Sequence, residues 1–182
     1  MTITPGPNNV MVTASGVNFG YKKTLPHILG ITFGFPVMIV LIGLGLGSVF
    51  ISFPVIHHIL KYIGATYLLY LAWKIATFSN VNNNGDRNKP FTFWQAVIFQ
   101  WVNPKAWTMA LTAVTVYTPD TTLPAIALVA LVFGAINLPS VSTWTLLGQQ
   151  MARFLTSSAR LTAFNWTMAA LLIASLYPVV FP

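Results

Sequence analysis

Long apolar runs divide the chain at residues 30–53, 55–76, 93–117, 123–147 and 161–181. Each approaches the ~20 residues that an α-helix needs to cross a hydrocarbon core, so the pattern predicts five full transmembrane helices. The breaks are short and rich in turn residues: Pro54, FSNVNNNGDRNKP at 78–90, TPDTTLP at 118–124 and GQQMARFLTSSAR at 148–160. The asparagine-rich stretch has no periodicity and reads as a solvated linker. Ahead of the first long run only residues 8–19, after MTITPGP, are apolar before GYKK. That is half a helix, too short to span. A signal peptide would carry its basic residues before the apolar stretch, and here the lysines follow it. Either the chain opens with a re-entrant or partial segment (1–20), or the first half of a spanning helix lies upstream of Met1.

Composition agrees with the pattern. Hydrophobic residues make up 55% of the 182 positions and charged ones 6%, where a soluble domain carries about 25% charged residues. There is no cysteine, and three histidines with two acids leave too few ligands for a metal site; no cofactor or metal is expected. The net charge of +7 comes from basic residues scattered between apolar runs. Nucleic-acid binding needs a basic cluster, which is absent.

Those basic residues orient the chain instead. With alternating spans, Lys22, Lys23, Lys74, Arg87, Lys89, Arg153 and Arg160 fall on one side, and Lys61 and Asp120 on the other. The positive-inside rule puts the seven in the cytoplasm and both ends outside. Trp73, Trp94 and Tyr117 sit near span ends, where interfacial aromatic belts are expected. Gly30 with Gly34, and Gly43 with Gly47, are four residues apart. Such faces let helices approach closely, and serve helix packing or a homodimer contact as readily as a pore lining.

Two proline-bearing polar patches interrupt the apolar pattern: TPGPNN (4–9) in the first segment and QWVNPKAW (100–107) inside the fourth. These segments correspond if the protein is two halves of three helices, which then run in opposite directions across the membrane. Matching broken helices in an inverted repeat point to a transporter site. The opened backbone needs a wet, protein-lined cavity. The candidate substrate-binding residues are therefore Pro5, Gly6, Pro7, Asn8, Asn9, Asn103, Pro104 and Lys105. Lys105 lies near mid-span, where a cation is costly and commonly functional. The fold expected is an all-α integral membrane six-helix bundle of two inverted three-helix repeats, its first helix N-terminally truncated.

The run TPGPNNVMVTASGVNFGYKKTLPHILGITFG, with GATYLLYLAWKIA (64–76) and FWQAVIFQWVNPK (93–105), resembles the amino-acid exporters of the LysE/RhtB family over essentially the whole chain. LAWKIAT and FWQAVIFQWVN look closest to the cysteine/O-acetylserine branch. The resemblance implies a bacterial inner-membrane carrier of six helices that moves amino acids outward against proton entry. Many relatives have an aspartate after the second-helix glycines, where this chain reads GITFGFP, with Phe35 and Pro36. Asp86 and Asp120, the two acids, sit in loops, so coupling is expected through substrate protonation, through His27, or without protons directly. Relatives usually carry further apolar residues before TPGPN, so either the reading frame is expected to continue upstream or the gene to be truncated and weakly functional.

The mechanism expected is alternating access about a midplane site. The helix end opened near Pro5 and Pro7 would offer N–H groups to a carboxylate, Asn8 and Asn103 would orient it, and Lys105 would supply positive charge. The partners expected are a small amino acid and the lipid bilayer. A site without acids suits a small neutral substrate such as cysteine, O-acetylserine, homoserine or threonine. The competing classes are a membrane enzyme, for which His57 and His58 without an acid make a poor cluster, and a non-transporting scaffold, which leaves the mid-span Asn-Pro-Lys unexplained.

Overall fold

The computed structural model describes residues 2–47, 54–78, 89–118, 120 and 122–177, with backbone alone at 54 and 56–58. Asp86, Arg87 and the side chains of His57 and His58 thus lie outside the described residues. Among those described, all regular structure is helical: α1 (Pro7–Leu41), prolonged by a π-helical turn (Ile42–Leu46), α2 (Pro54–Ala76), α3 (Phe93–Val102), α4 (Pro104–Tyr117), α5 (Leu123–Met151) and α6 (Ser158–Ala174). Leu123–Met151, and an 18-residue window within Pro7–Leu46, are long and apolar enough to cross a membrane.

α1 consists of two limbs joined at Gly20, whose φ of 76° and ψ of 170° fall in a region essentially reserved for glycine. The first limb (7–19) follows α5 in parallel, with Gly16 against the Thr145 backbone and Gly20 near Gln149. The second limb (21–41) runs back along it. The Tyr21 amide donates to Gln149 Oε1 at 2.6 Å, the Tyr21 hydroxyl lies 3.0 Å from Ser142 Oγ, and Pro36 reaches Gly134. The chain therefore reverses within one residue. The stretch around Lys22 and Lys23 is helical from Tyr21 on, where the apolar pattern suggests a lead-in loop before residue 30.

Close backbone contact fixes this hairpin to α5. A Cβ at Gly16 would overlap the Thr145 carbonyl, and one at Gly148 the Thr13 carbonyl. Lipid supplies no hydrophobic drive between helices, so such direct packing is what holds them. Gly148 therefore lies within a helix: α5 continues to Met151, and the loop expected at 148–160 shrinks to the short connection before Ser158. The Ser157 side chain caps α6 by accepting from the Arg160 amide.

The second limb packs on α3. A Cβ at Gly30 would overlap the Phe93 carbonyl, and one at Gly34 would lie 3.1 Å from Val97 Cα. α3 starts with a capping box in which the Gln95 amide donates to Thr92 Oγ1 (3.2 Å) and the Thr92 amide to Gln95 Oε1 (3.0 Å). It ends at Asn103, an extended residue (φ −86°, ψ 111°) that caps α4. The run expected as one interrupted span is thus two helices.

α2 packs mainly on α6, around Met11, Leu68, Leu71, Ile75, Phe99 and Leu172. A second core joins Phe35, Met38 and Ile39 to Ala106 and Ala110. Polarity is inverted relative to a soluble bundle. Gln100, Asn103, Asn137 and Asn165 are buried, while Phe33, Leu131 and Trp166 are 58%, 70% and 63% exposed. An apolar exterior over a polar interior suits lipid outside and hydrogen bonding inside.

Candidate substrate site

Of the helices that begin with proline, α1 and α4 meet at their first turns. Gly6 precedes Pro7 at the start of α1, and Asn103 precedes Pro104 at the start of α4. Proline suits a first helical position because its missing N–H would have no partner there. In α4 the following donors are satisfied: Lys105 N–H donates to Asn103 Oδ1 at 3.1 Å, and the Ala106 and Trp107 amides to Asn103 O at 3.0 and 3.2 Å. No side chain caps α1. Its Asn8 and Asn9 amides are the orphan donors that a helix start presents.

Lys105 reaches from α4 to the turn before α1. Its Nζ donates to Thr4 Oγ1 at 2.7 Å, Thr4 O at 3.0 Å and Pro5 O at 3.2 Å. All three acceptors are uncharged, and Asp120, the one acid among the described residues, is exposed at the α4–α5 turn. Asn8 and Gln100 form a reciprocal amide pair, Asn8 Nδ2 donating at 2.9 Å and Gln100 Nε2 at 3.2 Å. Asn9 turns its Nδ2 to the Thr2 and Thr4 carbonyls, at 3.1 and 2.8 Å, and so folds the N-terminal turn onto α1.

Between these groups lies a cleft of about 30 Å³, room for about two water molecules. Of the residues singled out from the sequence, Gly6, Pro7, Asn8, Asn9, Asn103 and Lys105 line it. Pro5 stands behind them and takes part through its carbonyl, and Pro104 contributes by setting the start of α4. Sequence reasoning missed Gln100 and Asn137, which also line the cleft, with Phe35 and Met109 as its apolar wall. The available signal was an amide inside an apolar run, Gln100 between Gln95 and Asn103 in one and Asn137 alone in the other, since polar side chains at membrane depth face the bundle interior. His27 is not on the wall. It is fully buried, edge-on to Phe91 at 5.1 Å, with both ring nitrogens lacking a hydrogen bond. Among the other glycines singled out, Gly43 lies against Ile126, and Gly47 makes no tight contact.

Comparison with known proteins adds a family to this geometry. The family model "LysE type translocator" matches residues 1–176. A cysteine/O-acetylserine efflux protein of Salmonella typhimurium is 35% identical over 63% of this chain, and the match spans 58% of that relative's length. A protein of the same description from Escherichia coli O1:K1 is 30% identical over 94% of this chain and 87% of its own. No solved structure matches the chain.

Proposed function

Because the chain belongs to the LysE type translocator family, we propose that it is an amino-acid exporter, carrying cysteine, O-acetylserine or a similar small neutral amino acid across the bacterial inner membrane. The observation that carries this reading is Lys105. Its ammonium, held by neutral oxygens beside an uncapped helix start, is a positive site without a counter-ion among the described residues. A substrate carboxylate fills that vacancy electrostatically, with the Asn8 and Asn9 amides and the positive end of α1 adding to the attraction. Phe35 and Met109 suit a short, weakly polar side chain. Homologues described as cysteine/O-acetylserine efflux proteins favour the same substrate class.

In this mechanism α1 and α4 belong to inverted three-helix repeats that rock about the cleft. A space of about 30 Å³ is smaller than an amino acid, so loading requires the walls to part. Lys22, Lys23, Arg87, Lys89, Arg153 and Arg160 lie on the cytoplasmic side. Proton entry drives export through protonation of the substrate, because His27 is buried against Phe91 away from the cleft. The family is one of transporters, and no enzymatic role is assigned. The test is efflux. In a bacterium lacking its own cysteine exporters, expression should lower intracellular cysteine or O-acetylserine and raise it in the medium. Efflux of threonine or homoserine alone would reassign the substrate, and no efflux from a membrane-inserted protein would leave a scaffold.

A further inference from the structure

Asn137 has no place yet in this account. It stands on the face of α5 that meets the second limb of α1, one turn beyond Gly134, where Pro36 makes close contact. The residue is only 6% exposed, and it lines the cleft. Its side chain makes no hydrogen bond to any described residue, whereas the other amides of the cleft are engaged. Asn8 and Gln100 occupy each other, Asn9 holds Thr2 and Thr4, and Asn103 holds the Lys105 amide. An amide that faces a cleft without a protein partner keeps its hydrogen-bonding capacity for what enters that cleft.

The chemistry of the cleft indicates what that is. A zwitterion brings a carboxylate, which accepts hydrogen bonds, and an ammonium, which donates them. The charge of Lys105 attracts the carboxylate, and the backbone N–H groups of Asn8 and Asn9 at the uncapped start of α1 are the donors that serve it. The ammonium needs an acceptor, and no carboxylate is present among the described lining residues. Resting on the exporter reading above, we propose that Asn137 Oδ1 receives the ammonium group of the substrate. Asn137 thereby makes the site select zwitterions over both simple carboxylates and cationic amines.

Binding to the purified full-length chain tests this with three probes: cysteine, 3-mercaptopropionate (which lacks the ammonium) and cysteamine (which lacks the carboxylate), all under reductant. Asn137→Leu, close in volume, should weaken cysteine about tenfold or more, because a hydrogen-bonding site discriminates by leaving groups unpaired. It should leave 3-mercaptopropionate within about twofold, since that probe makes no contact through the missing group. Asn137→Asp should strengthen cysteamine several-fold by adding an opposite charge, and this second variant keeps the side chain's shape if leucine fails to fold. Equal weakening of cysteine and 3-mercaptopropionate, unchanged cysteine binding, or no gain for cysteamine would overturn the proposal. A wild-type chain that binds no cysteine would defeat the exporter reading for this substrate as well. Loss of both acids in Lys105→Ala with an unaltered Asn137→Leu profile would keep that reading and remove only this one.

Discussion

Lys105 shows how a single residue becomes a site. Its ammonium touches Thr4 and Pro5 oxygens that carry no charge, so its field remains available to an anion. Lys105→Ala should weaken substrate binding by about 10- to 100-fold, the worth of a hydrogen bond to a charged group. Concentration-dependent transport in proteoliposomes, with protein level held equal, measures this; an unchanged KM and rate would exclude the role. Lys105 was legible in the sequence because a cation inside an apolar run is expensive wherever it points. Asn137 was not, because an isolated amide reads alike whether it is satisfied by its own helix or faces a cleft. Gly16 and Gly148 were illegible for another reason. They are a small-residue pair on two helices, Thr13 and Trp144 beside them being 131 positions apart, and no local spacing joins them. Gly148→Leu should destabilise by at least the roughly 1–3 kcal/mol of an overpacked core, since the obstacle is the Thr13 carbonyl rather than a movable side chain. Thermal unfolding followed by size-exclusion fluorescence reads that shift.

At the level of elements, two breaks organise the molecule, and they differ in kind. Asn103 interrupts α3 and α4 with one extended residue that also caps the second helix. Asn-Pro announces such a break, because proline cannot accept the preceding helical turn and asparagine replaces the lost backbone partner. Gly20 instead turns the chain back on itself. Its conformation is closed to other residues, so Gly20→Ala should cost about 1–3 kcal/mol. Gly20→Ala should therefore lower the melting temperature, and Gly47→Ala, with ordinary contacts at 3.5 Å and beyond, should leave it within about a degree or two of wild type. Equal melting of both would show that the turn relaxes freely. The pattern of apolar residues suggested two segments separated by a loop, yet α1 resumes at once. Glycine followed by lysines looks like a loop in sequence, and only the Tyr21 to Gln149 contact fixes it as a one-residue turn. The end of α5 was misjudged likewise: GQQ reads as a stop, but Gly148 is there to admit the α1 backbone.

For the whole molecule, the question is which way it sits. The absence of cysteine permits single-cysteine labelling without background. Cysteines introduced for Lys23 and Arg153 should react with a membrane-impermeant maleimide only from the cytoplasmic side, and one introduced for Asp120 only from outside. The opposite labelling would invert the orientation proposed and the direction assigned to export. That the chain inserts at all follows from sums over ~20 neighbouring residues, and such sums are local. The sequence by itself therefore determined a helical membrane protein, the break at Asn103, the cationic candidate Lys105 and the resemblance to an exporter family. Only the tertiary structure decided what those residues face. The reversal at Gly20 lays both limbs of α1 on α5, Asn8 meets Gln100 from 92 positions away, and Asn137 enters the same cleft. Those encounters depend on how closely helices cross, which is set by carbonyls meeting glycines on distant segments, and hydropathy carries no record of such pairings.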